Sequence, residues 1–180
     1  MKGIVFTEFL ELVEERYGLE MVDHLISEAH LPSGGVYTAV GTYQFSEMLS
    51  LLVELSEQTG VSIDTLLEVY GEHFFGVVLR SYQGFITQYT DPLDLLASIE
   101  SHIHVEVRKI YPDAELPVFR VLEKDSDKLI LLYRSSRAMY AFGKGLMQRT
   151  LTHFGHQAEV LVEKIKDDGT EVKFSIRVYE

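Results

Sequence analysis

The chain has 180 residues, 46% of them hydrophobic, enough for one domain with a buried core. A formal charge of −12 disfavours nucleic acid and anionic membrane surfaces as partners, and no local cluster of lysine and arginine offsets it. Cysteine is absent, which removes disulfides, thiolate metal ligands and thiol nucleophiles together and leaves metal chemistry to histidine or carboxylate.

Phe6, Phe9, Val13 and Tyr17 recur at helical spacing up to Gly18, and Phe45, Met48, Leu49, Leu52 and Leu55 repeat the pattern before Gly60. Pro32-Ser33-Gly34-Gly35 between them reads as a loop. Another helix starts after Ser62, and Gly71, Gly76 and Gly84 leave its continuation through 71–89 open. Asp91-Pro92 sets a capping acid before a first-turn proline and predicts a helix running to Tyr111.

After Pro112 the period changes. Residues 116–123 and 128–134 read as extended, separated by the turn-like Lys124-Asp125-Ser126-Asp127. Asp168-Gly169 predicts a hairpin joining 158–165 to the alternating Val172, Phe174, Ile176 and Val178. One helix, 137–154, lies between the two hairpins. The expected fold class is α+β: a helical N-terminal lobe at 1–60 packed on a C-terminal lobe at 61–180 that holds an antiparallel sheet with helices. No apolar run approaches the roughly 20 residues that span a bilayer. Met1-Lys2 leads into Glu8, Glu11, Glu14 and Glu15 rather than a signal-peptide core, so the expected location is cytoplasmic.

The run Leu132-Tyr133-Arg134-Ser135-Ser136-Arg137 carries a phenol, a hydroxyl and a guanidinium at i, i+2 and i+4 where an extended segment gives way to a helix. On an extended chain these share one face and converge on one anionic group, for which the arginine has bidentate geometry. Ser135 or Ser136 is also placed to cap the following helix. Taken singly, the three residues read rather as a strand aromatic, a cap and a surface ion-pair partner.

Histidines stand at 24, 30, 73, 102, 104, 153 and 156. At about 100° per residue, His102 and His104 lie roughly 160° apart on a helix and cannot share a metal. Leu96, Ile99, Ile103 and Ile110 form the apolar face with the two histidines on its opposite edges, so periodicity does not choose between them. Gly143 and Gly145, each costing about 1 kcal/mol relative to alanine inside a helix, imply a close approach by a helix, the sheet or a ligand.

The triplet Tyr133, Ser135 and Arg137, His104 seven residues before Tyr111-Pro112, Pro117 beyond it, and the opening Met1-Lys2-Gly3 together resemble the H-NOX family of haem-based nitric oxide and oxygen sensors. The similarity runs over essentially all of residues 1–180, read as a single H-NOX-like domain with a distal lobe at 1–60, a proximal lobe at 61–180 and the haem between them. It implies His104 as the protein ligand to the iron of haem b (iron protoporphyrin IX), the triplet as the holder of the haem propionates, and Pro117 as a residue pressing on the porphyrin. It also implies a distal pocket of Phe9, Phe74, Phe142 and Leu146. Oxygen-binding members carry a tyrosine five residues after the triplet arginine, where this chain has Phe142. Phe9 and Phe74 fall where those members carry supporting polar side chains, so the expected ligands are nitric oxide and carbon monoxide rather than oxygen, with Tyr140 and Tyr43 as candidate donors.

The resemblance further implies a five-coordinate ferrous sensor without catalytic activity, in which nitric oxide detaches His104, relaxes the porphyrin and shifts one lobe against the other. With the chain ending at Glu180, the expected output is a separate effector protein, such as a histidine kinase or a cyclic-di-GMP enzyme. A peroxidase-type haem enzyme would need distal acid and base groups that Phe9, Phe74 and Phe142 do not supply. An apolar-ligand module using the same pocket without iron is the remaining alternative.

Overall fold

The computed structural model describes residues 1–179, apart from the side chains of residues 82, 83 and 85. The chain forms two compact units, Met1–Leu66 with Asp113–Glu115, and Leu67–Pro112 with Leu116–Glu180.

The first unit packs α1 (Ile4–Tyr17), α2 (Leu19–Glu28) and α3 (Phe45–Thr59), and α4 (Ile63–Ile86) begins in it. Its core is the apolar stripe of each helix, with Phe6, Phe9 and Val13 from α1, Leu25 from α2, and Met48, Leu51, Leu52 and Leu55 from α3. The α3 stripe is shifted from the one expected from sequence: Leu49 faces solvent and Leu51 is buried. The loop before α3 is held from both sides. Tyr37 stacks on Phe6 with centroids 4.5 Å apart, and Tyr43 sits edge-on to both rings. Glu47 of α3, only 2% exposed, accepts hydrogen bonds from the hydroxyls of Ser33 and of Tyr37, the latter at 2.9 Å. Burial, with the Glu47 carboxylate adding to it, pushes the Tyr37 phenol up to about 12.

The second unit holds the rest of α4, a helical segment at 92–110, and the four-stranded antiparallel sheet. α4 runs unbroken past Gly71, Gly76 and Gly84. A Cβ on Gly71 would lie 2.1 Å from the Phe142 carbonyl oxygen, and one on Gly145 would lie 1.9 Å from that of Glu68. The two glycines therefore let α4 and α7 (Tyr140–His153) cross backbone to backbone, which answers for Gly145. Gly143 faces ring atoms of Phe174 and Phe119 at 3.8 and 4.0 Å from a built Cβ, an ordinary contact distance.

The strands are β1 (Val118–Lys124), β2 (Lys128–Arg134), β3 (Gln157–Lys164) and β4 (Glu171–Tyr179), in the order β1-β2-β4-β3. Two hairpins flank one helix, as the alternation predicts. Leu129, Leu131 and Tyr133 of β2 and Val172, Phe174 and Ile176 of β4 line the buried face.

The helix expected over 92–111 is not continuous. Asp91 caps α5 (Pro92–Ala97), its carboxylate accepting the Leu93 amide at 2.7 Å, but a π turn at Ile99–Ile103 intervenes before α6 (His104–Ile110). The widened turn shifts the phase of the apolar stripe, so Ile110, expected on the buried face, is 53% exposed. Among the described residues, no helix is long and apolar enough to cross a membrane.

Candidate functional site

The π turn decides what the two histidines do. His102 lies on it, and its Nδ1 pairs with the Tyr89 hydroxyl at 2.7 Å. His104 opens α6 and is 7% exposed, with Nδ1 2.9 Å from Oε1 of Glu100. A carboxylate has no proton to give, so Nδ1 carries the hydrogen and the lone pair is on Nε2. Burial lowers the proton affinity of His104 and Glu100 pulls it back up, with the net below the ordinary imidazole value. His104 is therefore a buried, neutral imidazole in a fixed tautomer, the form that binds a metal.

The Glu100 oxygen that holds His104 also accepts the backbone amide of Phe119 at 2.9 Å. Phe119 is the second residue of β1, and its ring lies 6.0 Å from His104, 5.4 Å from Tyr133 and 6.4 Å from Phe174, centroid to centroid. An aromatic group thus joins the imidazole to the triplet. Sequence reasoning did not single out Glu100 or Phe119. The i, i+4 spacing from Glu100 to His104 was the available signal for the first, and nothing distinguished the second from an ordinary strand aromatic.

The triplet converges by a different route from the one expected. β2 ends at Arg134, and Ser135 to Arg137 form a turn that closes at Ala138, whose φ of 51° is left-handed. Ser135 and Arg137 therefore lie on this turn and not on one strand face with Tyr133. Neither serine caps the helix: α7 begins at Tyr140 behind Met139, without a side-chain cap, and the Ser135 hydroxyl accepts the Arg137 amide at 3.2 Å instead. Tyr133 is buried, which raises its phenol above the ordinary range, while hydrogen bonds from Ser135 and the Met139 backbone, together with the charge of Arg137, pull it down. The Ser135 hydroxyl thus lies beside the Tyr133 phenol, and the Arg137 charge acts on that phenol.

Phe74 and Phe142 face each other across α4 and α7 with centroids 5.5 Å apart. Tyr70, fully buried, stands 5.8 Å from the first and 5.1 Å from the second, and sequence did not mark it as a member of this group. Leu146 is half-buried one turn along α7. Phe9 is buried in the first unit on α1. The Tyr140 ring packs beside Gly169 and Ala138, with Lys164 over its face at 5.0 Å. The Tyr43 hydroxyl accepts the Thr38 amide at 2.8 Å. Pro117 is half-buried just before β1, a position that suits proline at a strand start.

These residues fit a haem. The imidazole has Nε2 available, Tyr133 and Ser135 are paired donors suited to a carboxylate with the Arg137 charge acting on them, and Gly143 leaves the Phe119–Phe174 rings uncovered by a side chain of its own. Among the described residues, no group of three or more histidine, aspartate or glutamate side chains could hold a metal ion.

A buried imidazole with Nε2 available and donors suited to carboxylates are the side chains that a haem-binding protein needs. A family model described as haem-NO-binding matches residues 2–162, and the chain belongs to that family. The H-NOX protein of K. algicida, solved in the Fe(II) unliganded form, is 62% identical; the match covers 100% of this chain and 97% of that one, with a TM-score of 0.98. The H-NOX of Shewanella woodyi, solved in the Fe(II)CO ligation state, is 35% identical, covering 98% of this chain and 94% of that one at a TM-score of 0.81. Soluble guanylate cyclase 89Da of Drosophila melanogaster is 28% identical over 148 residues, which are 76% of this chain and 20% of the cyclase. The chain thus spans about a fifth of the length of that curated relative. Domains of this family bind iron haem and diatomic gases and act as sensors rather than enzymes.

Proposed function

We propose that residues 1–180 form one cytoplasmic haem b domain that senses nitric oxide and passes the signal to a separate effector, such as a histidine kinase or a cyclic-di-GMP enzyme. The observation that carries this reading is His104, buried, neutral and fixed in the tautomer that frees Nε2. When bound, the haem would supply an iron that takes up a diatomic gas. His104 would ligate that iron, Tyr133, Ser135 and Arg137 would hold the propionates, and Pro117 would lie against the ring. Phe9, Phe74, Phe142 and Leu146 make the gas side apolar. An apolar lining gives bound oxygen no hydrogen bond, whereas nitric oxide and carbon monoxide need less polar support. A gas shifts an equilibrium only by binding two states unequally, and His104, held or released, would be the residue that distinguishes the resting state from the signalling one.

The test is the visible spectrum of the reduced protein under nitrogen, nitric oxide, carbon monoxide and air. A Soret band that shifts with nitric oxide and with carbon monoxide, the nitric oxide maximum at the shorter wavelength, and no stable oxygen complex in air are the expected results. A protein without a Soret band after haem reconstitution would reject the reading, and a long-lived oxygen complex would reject the apolar gas side, with Tyr70 the first donor to examine.

A further inference from the structure

We infer that Glu100 is the positioning residue for His104, one carboxylate oxygen tying the imidazole and the edge strand β1 together. The inference rests on the reading of His104 as the iron ligand. Oε1 of Glu100 is 2.9 Å from His104 Nδ1 and 2.9 Å from the amide nitrogen of Phe119, two contacts that a single atom makes at once. The partners come from different elements: Glu100 from the π turn, His104 from the first residue of α6, Phe119 from β1.

The π turn makes this possible. Its backbone ladder runs from the His104 amide to the Ile99 carbonyl, one residue longer than an α-helical bond, and Glu100 with its half-exposed side chain is thereby set over both the imidazole and the start of β1. Such wide turns occur at functional sites, since they are costly elsewhere.

Two consequences follow from the chemistry. A carboxylate on Nδ1–H draws that proton away and enriches the electron density at Nε2, which strengthens the ring as a ligand and fixes its plane. Glu100 therefore sets how firmly His104 is held and so how readily a gas releases it. The second consequence is mechanical: a ring that swings on release pulls on the same oxygen that holds the Phe119 amide, so β1 receives the movement directly.

The test uses the haem-loaded protein and three variants, Glu100→Gln, Glu100→Ala and His104→Gly. Glutamine keeps the shape and an acceptor oxygen but removes the charge; alanine removes both bonds. The iron–histidine stretching frequency in the resonance Raman spectrum of the ferrous protein should fall in both glutamate variants, further in Glu100→Ala. Amide hydrogen exchange at Phe119 should stay close to wild type in Glu100→Gln and quicken at least about tenfold in Glu100→Ala, the factor that accompanies loss of one hydrogen bond to a charged group. A smaller dose of nitric oxide should suffice to shift the Soret band of both. An unchanged iron–histidine frequency in Glu100→Gln overturns the inference, and so does an unchanged Phe119 exchange rate in Glu100→Ala. Should Glu100→Ala lose its haem, the isosteric Glu100→Gln still decides the outcome through its iron–histidine frequency. His104→Gly separates the two levels: if that variant still shows the wild-type iron–histidine band, the ligand assignment has failed, not the role of Glu100.

Discussion

His102 and His104 are two residues apart, yet one turns to Tyr89 and the other is buried against Glu100. Periodicity left them on opposite edges of one apolar stripe, and only the family spacing to Tyr111-Pro112 favoured His104. His104→Ala should therefore lose haem during purification or retain it only with added imidazole, whereas His102→Ala should keep a normal Soret band; the reverse pattern, read by the ratio of Soret to protein absorbance, would reject the assignment. Arg137 supplies charge beside Tyr133. Losing a charge-assisted bond to a buried carboxylate costs about 1.5–3 kcal/mol, so Arg137→Ala should purify with substoichiometric haem and release it faster to apomyoglobin. Unchanged release kinetics would mean that the arginine serves elsewhere. The triplet residues were singled out by their place in an ordered set with His104, Tyr111-Pro112 and Pro117, not by their chemistry alone. The turn that joins them was not, since nothing in Ser135-Ser136-Arg137-Ala138 announces a left-handed alanine.

At the scale of elements, stripes and alternation carried α1, α3 and both hairpins. α2 was not assigned although Met21, Val22, Leu25 and Ile26 recur at helical spacing with Val22 and Leu25 buried; the signal was present between Gly18 and the Pro32-Ser33-Gly34-Gly35 loop and was not used. The π turn is invisible to a wheel drawn at one constant period; it betrays itself only as the misplaced Ile110. Gly145 and Gly143 looked alike in sequence and differ in what they meet. A methyl at 145 would strike the Glu68 carbonyl, 1.9 Å from a built Cβ, so Gly145→Ala should destabilise the domain by about 1–3 kcal/mol through overpacking. At 143 the nearest ring atom is 3.8 Å away, and Gly143→Ala should stay within about 1 kcal/mol of wild type, the gain in helix propensity offsetting crowding. Urea denaturation midpoints of the two variants decide it; equal losses would show that the α4–α7 crossing is not what the glycines serve. The loop before α3 makes a separate statement about pH. Tyr37 keeps its proton to about 12 in the folded protein against an ordinary 10.0, so between those values the unfolded chain gives up its proton first and stability falls as pH rises. Below that window the contribution is complete. Tyr37→Phe should flatten the stability profile from pH 10 to 12, measured by urea unfolding at fixed ionic strength, and an identical slope would place the alkaline loss elsewhere.

For the whole molecule, composition bounds the fold without naming a function, and a charge of −12 argues only for solubility and for a partner with basic surface. What carried function was an ordered set of residues scattered from Met1-Lys2-Gly3 to Arg137, which no local pattern contains. The link from His104 through Glu100 to Phe119 was beyond sequence, because a glutamate four residues before a histidine is common on helix surfaces and here gains meaning only from the strand amide it also holds. That link bears on output. If release of His104 is the switch, a gas that detaches it and a gas that leaves it bound must act differently on the effector, however tightly each binds, because only differential affinity for the two states moves the equilibrium. On the proposed function, nitric oxide is the first kind and carbon monoxide the second. With the protein in excess over its effector, so that complex formation is saturated, effector activity should change with nitric oxide and stay close to the unliganded level with carbon monoxide. Glu100→Ala, with the link to β1 cut, should blunt the nitric oxide response even at full gas occupancy. Equal regulation by the two gases would reject histidine release as the switch while leaving the haem assignment standing, and a full response in Glu100→Ala would show that the movement leaves His104 by a path other than β1.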